Sequence, residues 1–111
     1  MFQFESQGAV DVVTPEVALN HENAERFTDA FAKKTFAGQP MVVIDMRHVP
    51  LLDSAALEAL LSIQRQLLAS AGSLKLSALT PLCQDIFKIT GLSDRFETYA
   101  DTKSAVGSFL R

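Results

Sequence analysis

The fold turns on one stretch, Met41 to Leu79, MVVIDMRHVPLLDSAALEALLSIQRQLLASAGSLKLSAL. Its opening, Met41-Val42-Val43-Ile44-Asp45-Met46, is nearly continuous in apolar residues and lies between Pro40 and Pro50. That is the pattern of a strand buried on both faces, and such strands belong to sheets covered by helices. From Ala55 to Ala69 the period changes. Ala56, Leu57, Leu60, Leu61, Ile63, Leu67 and Leu68 form a wide helical stripe that leaves Glu58, Ser62, Arg65 and Gln66 outside. The spacing predicts the most buried helix of the molecule. Gly72 breaks it, and Leu74 to Leu79 alternates as a strand once more. Strand, helix and strand at this spacing make a crossover unit of a largely parallel sheet.

The flanks extend the alternation. Phe2 to Glu5 and Ala9 to Val13 read as two strands joined by a tight turn at Gly8, an edge hairpin, and Thr14-Pro15 is expected to stop the pairing because proline lacks a donor. From about His21 to Phe36, Ala24, Phe27, Ala30 and Phe31 share one face of an amphipathic helix, with Asn20 as its expected N-cap and Gly38-Gln39-Pro40 as its end. Pro81 suits a first helical position, and Leu82, Ile86, Phe87 and Ile89 carry that helix to Gly91. Phe96 to Tyr99 reads as a last short strand. Asp101 opens a terminal helix with Ala105, Val106, Phe109 and Leu110 as its apolar set. The expected fold is α/β: one domain over residues 1–111 with its core at about 9–107, built on a mostly parallel mixed sheet of about four or five strands with about four helices. Phe27, Phe31, Phe87 and Phe96 are expected in the core.

Composition narrows the partners. The chain has 111 residues and 48% hydrophobic residues, enough for one packed core. A formal net charge of -3 repels phosphate backbones and anionic lipid headgroups, so neither nucleic acid nor a membrane surface is an expected partner. The apolar runs are far shorter than the roughly 20 residues of a membrane helix. A single cysteine, Cys83, forms no internal disulfide, and the start MFQFESQG lacks the form of a secretory signal, which together point to a cytoplasmic protein.

In open sheets of this kind, functional residues gather beyond the carboxyl ends of strands. Asp53-Ser54 lies there, between the buried strand and the buried helix. No phosphate-binding glycine pattern and no G-x-S-x-G surrounds Ser54. His21 and His48 are the only histidines, and His48 reads as a loop residue more readily than as a base for Ser54. One Cys and two His at unrelated spacings make no metal set, so no cofactor, metal or catalytic residue is expected. A Ser or Asp at this position satisfies free N–H groups of the helix start. The same helix end tolerates a phosphate on Ser54, because free donors and the positive end of the macrodipole face it. A cap and a switch are compatible roles.

These residues carry a family resemblance. The strand followed by Asp53-Ser54-Ala55-Ala56-Leu57 resembles the D-S-S-G-L or D-S-T-G-L pattern of STAS domains of the anti-sigma-factor antagonist type. Gly72-Ser73-Leu74-Lys75-Leu76 resembles that family's turn into its next strand, and LCQDIFKITGLSDRF, Leu82 to Phe96, is similar to its helix ending in T-G-L before a Phe. Leu19-Asn20 and Asn23-Ala24 resemble its L-D-x-x-N-A entry to the first helix. The match covers roughly residues 9 to 107. The resemblance implies a regulatory binding module and not an enzyme: an antagonist that binds an anti-sigma factor that is also a serine kinase, is phosphorylated by it at Ser54, lets go, and is restored by a serine phosphatase. Asn20, Asp53, Ser54 and Ala55 are then the expected partner-binding residues, with Ser54 the phosphoacceptor. A homodimer is compatible with the resemblance. The alternative it leaves is an accessory subunit docked on an ABC-type transport ATPase through the same loop, with no phosphate cycle. Ala55 stands where the family has a second hydroxyl, Ala56 where it has a glycine whose absence narrows any close backbone approach, and Asn20 where it has an aspartate.

Overall fold

Every residue from Val42 to Asp45 is buried, and the reason is the position of this strand in the sheet. In the computed structural model, which describes residues 1–34 and 38–110, the strands are β1 (Phe2–Gln7), β2 (Val10–Pro15), β3 (Met41–Asp45), β4 (Ser73–Ser77) and β5 (Glu97–Tyr99). The helices are α1 (Ala24–Lys33), α2 (Ser54–Ala69), α3 (Pro81–Ile89) and α4 (Thr102–Phe109). The sheet order is β1-β2-β3-β4-β5, with β1 antiparallel to β2 and all later pairs parallel. β3 is therefore central. It pairs on both sides and is covered on both faces, as its unbroken apolar run requires.

Strand order follows chain order, so crossovers of one hand carry α1, α2 and α3 to the same face. There Val13, Val42, Ile44, Leu74 and Leu76 meet Phe27 and Phe31 of α1, Leu57, Leu60, Ile63 and Leu67 of α2, and Cys83 and Phe87 of α3 in the larger core. Phe2 and Phe4 of the edge strand extend it, with ring centroids 4.9 Å from Phe27 and 5.6 Å from Phe31. The opposite face holds Val10, Val12 and Val43 under α4, through Ala105 and Val106. In β4 this thinner face carries Ser77 and the buried Lys75, which is in register with Val43 and Glu97. Its ammonium lies 2.7 Å from Ser108 Oγ, 3.3 Å from Glu97 Oε2 and 4.1 Å from the centre of the Phe109 ring. A buried ammonium needs such partners, and here they hold α4 to the sheet.

Gly72 is fixed by a close approach. A Cβ there lies 2.6 Å from the Pro40 carbonyl oxygen, which accepts the Ser73 N–H at 2.8 Å and brings the starts of β3 and β4 together.

Several expectations need correction. Pro15 does not stop the hairpin: it is the last residue of β2, opposite Phe2, beyond the end of the β2–β3 ladder at Val13, so no central hydrogen bond is lost. α1 begins at Ala24 behind Asn23, not at His21 behind Asn20, because Asn20 to Asn23 form a turn of their own. Lys34 leaves the helix with extended backbone, and the expected continuation through Thr35 and Phe36 lies outside the described residues. Leu68, Leu82, Ile89 and Leu110 are exposed and not core. In α3 the inner face is set by Cys83 and Phe87, four residues apart, which turns Leu82 and Ile89 outward. Leu79 lies past the end of β4, where Ala78 takes a positive φ of 55°. Among the described residues no helix is long and apolar enough to cross a membrane.

Candidate functional site

The chain leaving β3 is anchored by Val49, fully buried, and Leu52, while the Leu51 side chain is 44% exposed. Thr80 and Cys83 fix Val49 from the side: the Cys83 thiol donates to the Val49 carbonyl at 3.4 Å. Burial pushes that thiol up from its ordinary pKa, against a smaller lowering by Thr80, so it is a packed hydrogen-bond donor and not a nucleophile.

Leu52 then forms an isolated parallel bridge with Leu19. The Leu19 N–H donates to the Leu51 carbonyl and the Asp53 N–H to the Leu19 carbonyl, each at 3.3 Å. Two loops 32 residues apart are thereby laid side by side, and the second opens α2. Asp53, and not Ser54, is the N-cap. Its backbone is extended, and its Oδ1 accepts the Ala56 N–H at 3.0 Å. Its Oδ2 accepts the His21 N–H at 2.8 Å and lies 3.4 Å from His21 Nδ1. The Ala56 N–H is the main reason the Asp53 carboxyl sits below its ordinary pKa; partial burial opposes it, and the His21 N–H and ring add to the lowering.

Ser54 is consequently the first helical residue. It is exposed, and among the described residues its hydroxyl makes no hydrogen bond. With Ala56 N–H taken by the cap, the N–H groups of Ser54 and Ala55 are the ones without intrahelical acceptors. Ala55 is half-buried, whereas Ala56 is buried in the core. The extra methyl of Ala56 is thus accommodated inside the protein and does not narrow the outer surface.

Asn20 lies in the neighbouring loop, as expected, but caps no helix. Its Oδ1 accepts the Glu22 N–H and its own N–H donates to Asn23 Oδ1, both at 2.9 Å. It shapes the turn that carries His21. His48 is exposed and lines, with Arg47, a cleft against Gln3, Glu5 and Thr14, so nothing brings it to Ser54 as a base. Among the described residues no group of three or more His, Cys, Asp or Glu is arranged to hold a metal ion. The contact sequence reasoning missed is His21 with Asp53. No local signal announces it, because it depends on the Leu19–Leu52 bridge.

The arrangement offers an exposed hydroxyl at a helix start, beside the Asp53–His21 pair but, among the described residues, with no hydrogen bond from the hydroxyl to a base. It can receive a group from another protein, and it can be part of a contact face. A family model for the STAS domain matches residues 1–105. The Bordetella bronchiseptica protein BtrV, named as a candidate anti-sigma factor antagonist, is 29% identical over 91 residues, 82% of this chain and 78% of BtrV. A candidate anti-sigma factor antagonist of Thermotoga maritima superposes with a TM-score of 0.88 at 22% identity, over 99% of this chain and 95% of that one. The Bacillus cell fate determinant SpoIIAA in its phosphorylated form does so with a TM-score of 0.73 at 22% identity, over 98% and 99% of the two chains. With its mixed five-stranded sheet, its four helices and a match over nearly its whole length, the chain belongs to the STAS domain family.

Proposed function

We propose that this chain is an anti-sigma factor antagonist whose hold on an anti-sigma factor with serine kinase activity is ended by phosphorylation of Ser54. The observation that carries the reading is the Ser54 hydroxyl, exposed and, among the described residues, unpaired at the first position of α2, while the neighbouring Asp53 is held by bonds of its own. In the kinase step Oγ attacks the γ-phosphorus of ATP, the Oγ–P bond forms as the bond to ADP breaks, and the hydroxyl proton passes to a base of the kinase. This chain supplies only the acceptor. The added group brings about two negative charges and three acceptor oxygens. The fold tolerates it, because the charge stands at the positive end of α2 and in solvent. A partner packed over Asn20, Asp53, Ser54 and Ala55 does not, because it covers the phosphate and removes it from water without supplying a cation of its own. Hydrolysis by a serine phosphatase restores the hydroxyl. BtrV, similar over most of this chain and named as a candidate anti-sigma factor antagonist, and the similarity of the fold to SpoIIAA, known in phosphorylated and unphosphorylated forms, support the reading.

The test incubates the purified chain with ATP and extract of its own cells and follows intact mass, then compares immobilised Ser54→Ala and Ser54→Asp. One phosphoryl group at Ser54, and a kinase retained by Ser54→Ala but not by Ser54→Asp, are expected. Equal retention by both variants sinks the switch, and recovery of a transport ATPase with its permease replaces it with the subunit reading.

A further inference from the structure

The turn before α1 and the cap of α2 meet through one pair of side chains, His21 and Asp53. The backbone N–H of His21 is fixed on Asp53 Oδ2 at 2.8 Å, so the ring hangs from a tethered residue while remaining 77% exposed. Its Nδ1 is 3.4 Å from the same oxygen. Among the described residues no Lys or Arg forms an ion pair with Asp53; its one basic partner is His21. The charged group against the ring is Asp53, from the α2 side; on its own segment the nearest charged residues in the chain are Glu22 and Glu25. Ser54 follows Asp53 at the usual Cα spacing of about 3.8 Å, and its Cβ, like every helical Cβ, leans toward the helix N-terminus. That is the end at which His21 stands.

Resting on the phosphorylation of Ser54 proposed above, we propose further that His21 is the counter-ion of the phosphate and that it carries the signal from α2 to the turn before α1. A phosphate on Ser54 stands one residue from a carboxylate whose other oxygen is held by the Ala56 N–H. Two like-charged groups so close repel, and a group of about two charges outcompetes a single carboxylate for one cation. The ring, 77% exposed, is free to turn toward it by side-chain rotation. Its backbone bond to Asp53 stays, and nothing must be unpacked because the ring is exposed. The contact face therefore changes in both loops at once: Ser54 gains the phosphate, and the Asn20–Glu22 turn loses the ring contact with Asp53.

The experiment needs no kinase. Phosphoserine is placed at position 54 during translation, and the second ionisation of the phosphate, near pH 6 when unperturbed, is followed by phosphorus NMR. An imidazolium beside the phosphate favours the dianion. The midpoint in His21→Gln is thus expected about half a pH unit above that of the phosphorylated parent. His48→Gln leaves it where it is, and His21→Lys, which restores a cation, keeps it low. Equal midpoints for the parent and His21→Gln overturn the inference, with circular dichroism confirming that both are folded. Since the phosphoserine is placed during translation, a protein that is never phosphorylated in its own cells sinks the proposed function and leaves this titration standing.

Discussion

Two helices of this protein start alike and differ in how their first hydroxyl is used. α2 opens Asp53-Ser54 and α4 opens Asp101-Thr102: an aspartate cap in extended backbone, then a hydroxyl at the first helical position. Asp53 accepts the N–H of Ala56 at 3.0 Å, Asp101 that of Ser104 at 2.7 Å. In both cases a backbone N–H of the first turn is the main reason the carboxyl lies below its ordinary pKa. The hydroxyls part company. Thr102 Oγ1 is 2.8 Å from Ser77 Oγ, which is fully buried in β4, whereas the Ser54 hydroxyl is exposed and, among the described residues, unpaired. The pair of residues therefore marks a helix start, and only the commitment of the hydroxyl separates a structural corner from a candidate switch.

The largest effect expected from breaking this comparison is on partner binding. Ser54→Asp lowers affinity for the anti-sigma partner about 100-fold, roughly 2.7 kcal/mol, since a charge is desolvated at the interface. Ser54→Ala stays within a few-fold. Isothermal titration of both variants against the partner recovered with Ser54→Ala measures the difference, and phosphosite mapping of the kinase-treated parent is expected to place phosphate on Ser54 and none on Thr102.

Stability reverses the order. Thr102→Asp sets a carboxylate against the buried Ser77 hydroxyl and is expected to cost about 2 kcal/mol. Ser54→Asp changes stability by less than about 0.5 kcal/mol, because the group is exposed and the helix end favours an acid. Urea unfolding of the two variants reads this directly; equal losses contradict the distinction between the hydroxyls.

Removing the caps compares the other half of each pair. Asp53→Ala and Asp101→Ala each lose one helix cap, a fall in Tm of about 5 °C for a domain of this size. Asp53→Ala is expected to fall further, because Asp53 also accepts the His21 N–H across the Leu19–Leu52 bridge. Faster amide exchange at His21 in that variant alone identifies the extra loss.

Sequence and structure agree most closely where one short-range rule suffices. β3, α2 and β4 are legible because a buried run, a 3.6-residue stripe and a glycine break succeed one another. The candidate site is legible in its address, the loop beyond β3 where Asp53 and Ser54 open α2. The division of labour between them is not, since it depends on which residue takes extended backbone at the helix start. Leu82 and Ile89 mislead because apolar spacing gives a period but not the side that faces the sheet; Cys83 and Phe87 take that side. Asn20 misleads because Asn23, three residues on, competes for the same role and heads the helix. His21 is invisible for a different reason: its partner lies 32 residues away, and only the pairing of two loops brings them together.

The smallest effect concerns acid. Asp53 and Asp101 both have folded-state pKa values below the ordinary 3.8, so each binds its proton less readily in the folded chain than in the unfolded one. Their stabilisation is complete above about 3.8 and is lost as the pH falls through the lowered folded values. Asparagine caps nearly as well as aspartate but does not titrate. The double variant Asp53→Asn, Asp101→Asn should therefore unfold close to the parent temperature at pH 7 and lose less on acidification below about pH 4. Scanning calorimetry between about pH 7 and pH 2.5 compares them, and parallel acid limbs would show that the two carboxylates are not responsible. The single variants sharpen the result. Asp101→Asn should flatten the limb through its own cap alone, while Asp53→Asn should also weaken the bond to the His21 N–H, because a neutral amide oxygen accepts less strongly than a carboxylate. A difference between the single variants at about pH 7 that shrinks as the pH falls through the lowered carboxyl range assigns that bond to the charge of Asp53 and separates the corner that carries Ser54 from the one that carries Thr102.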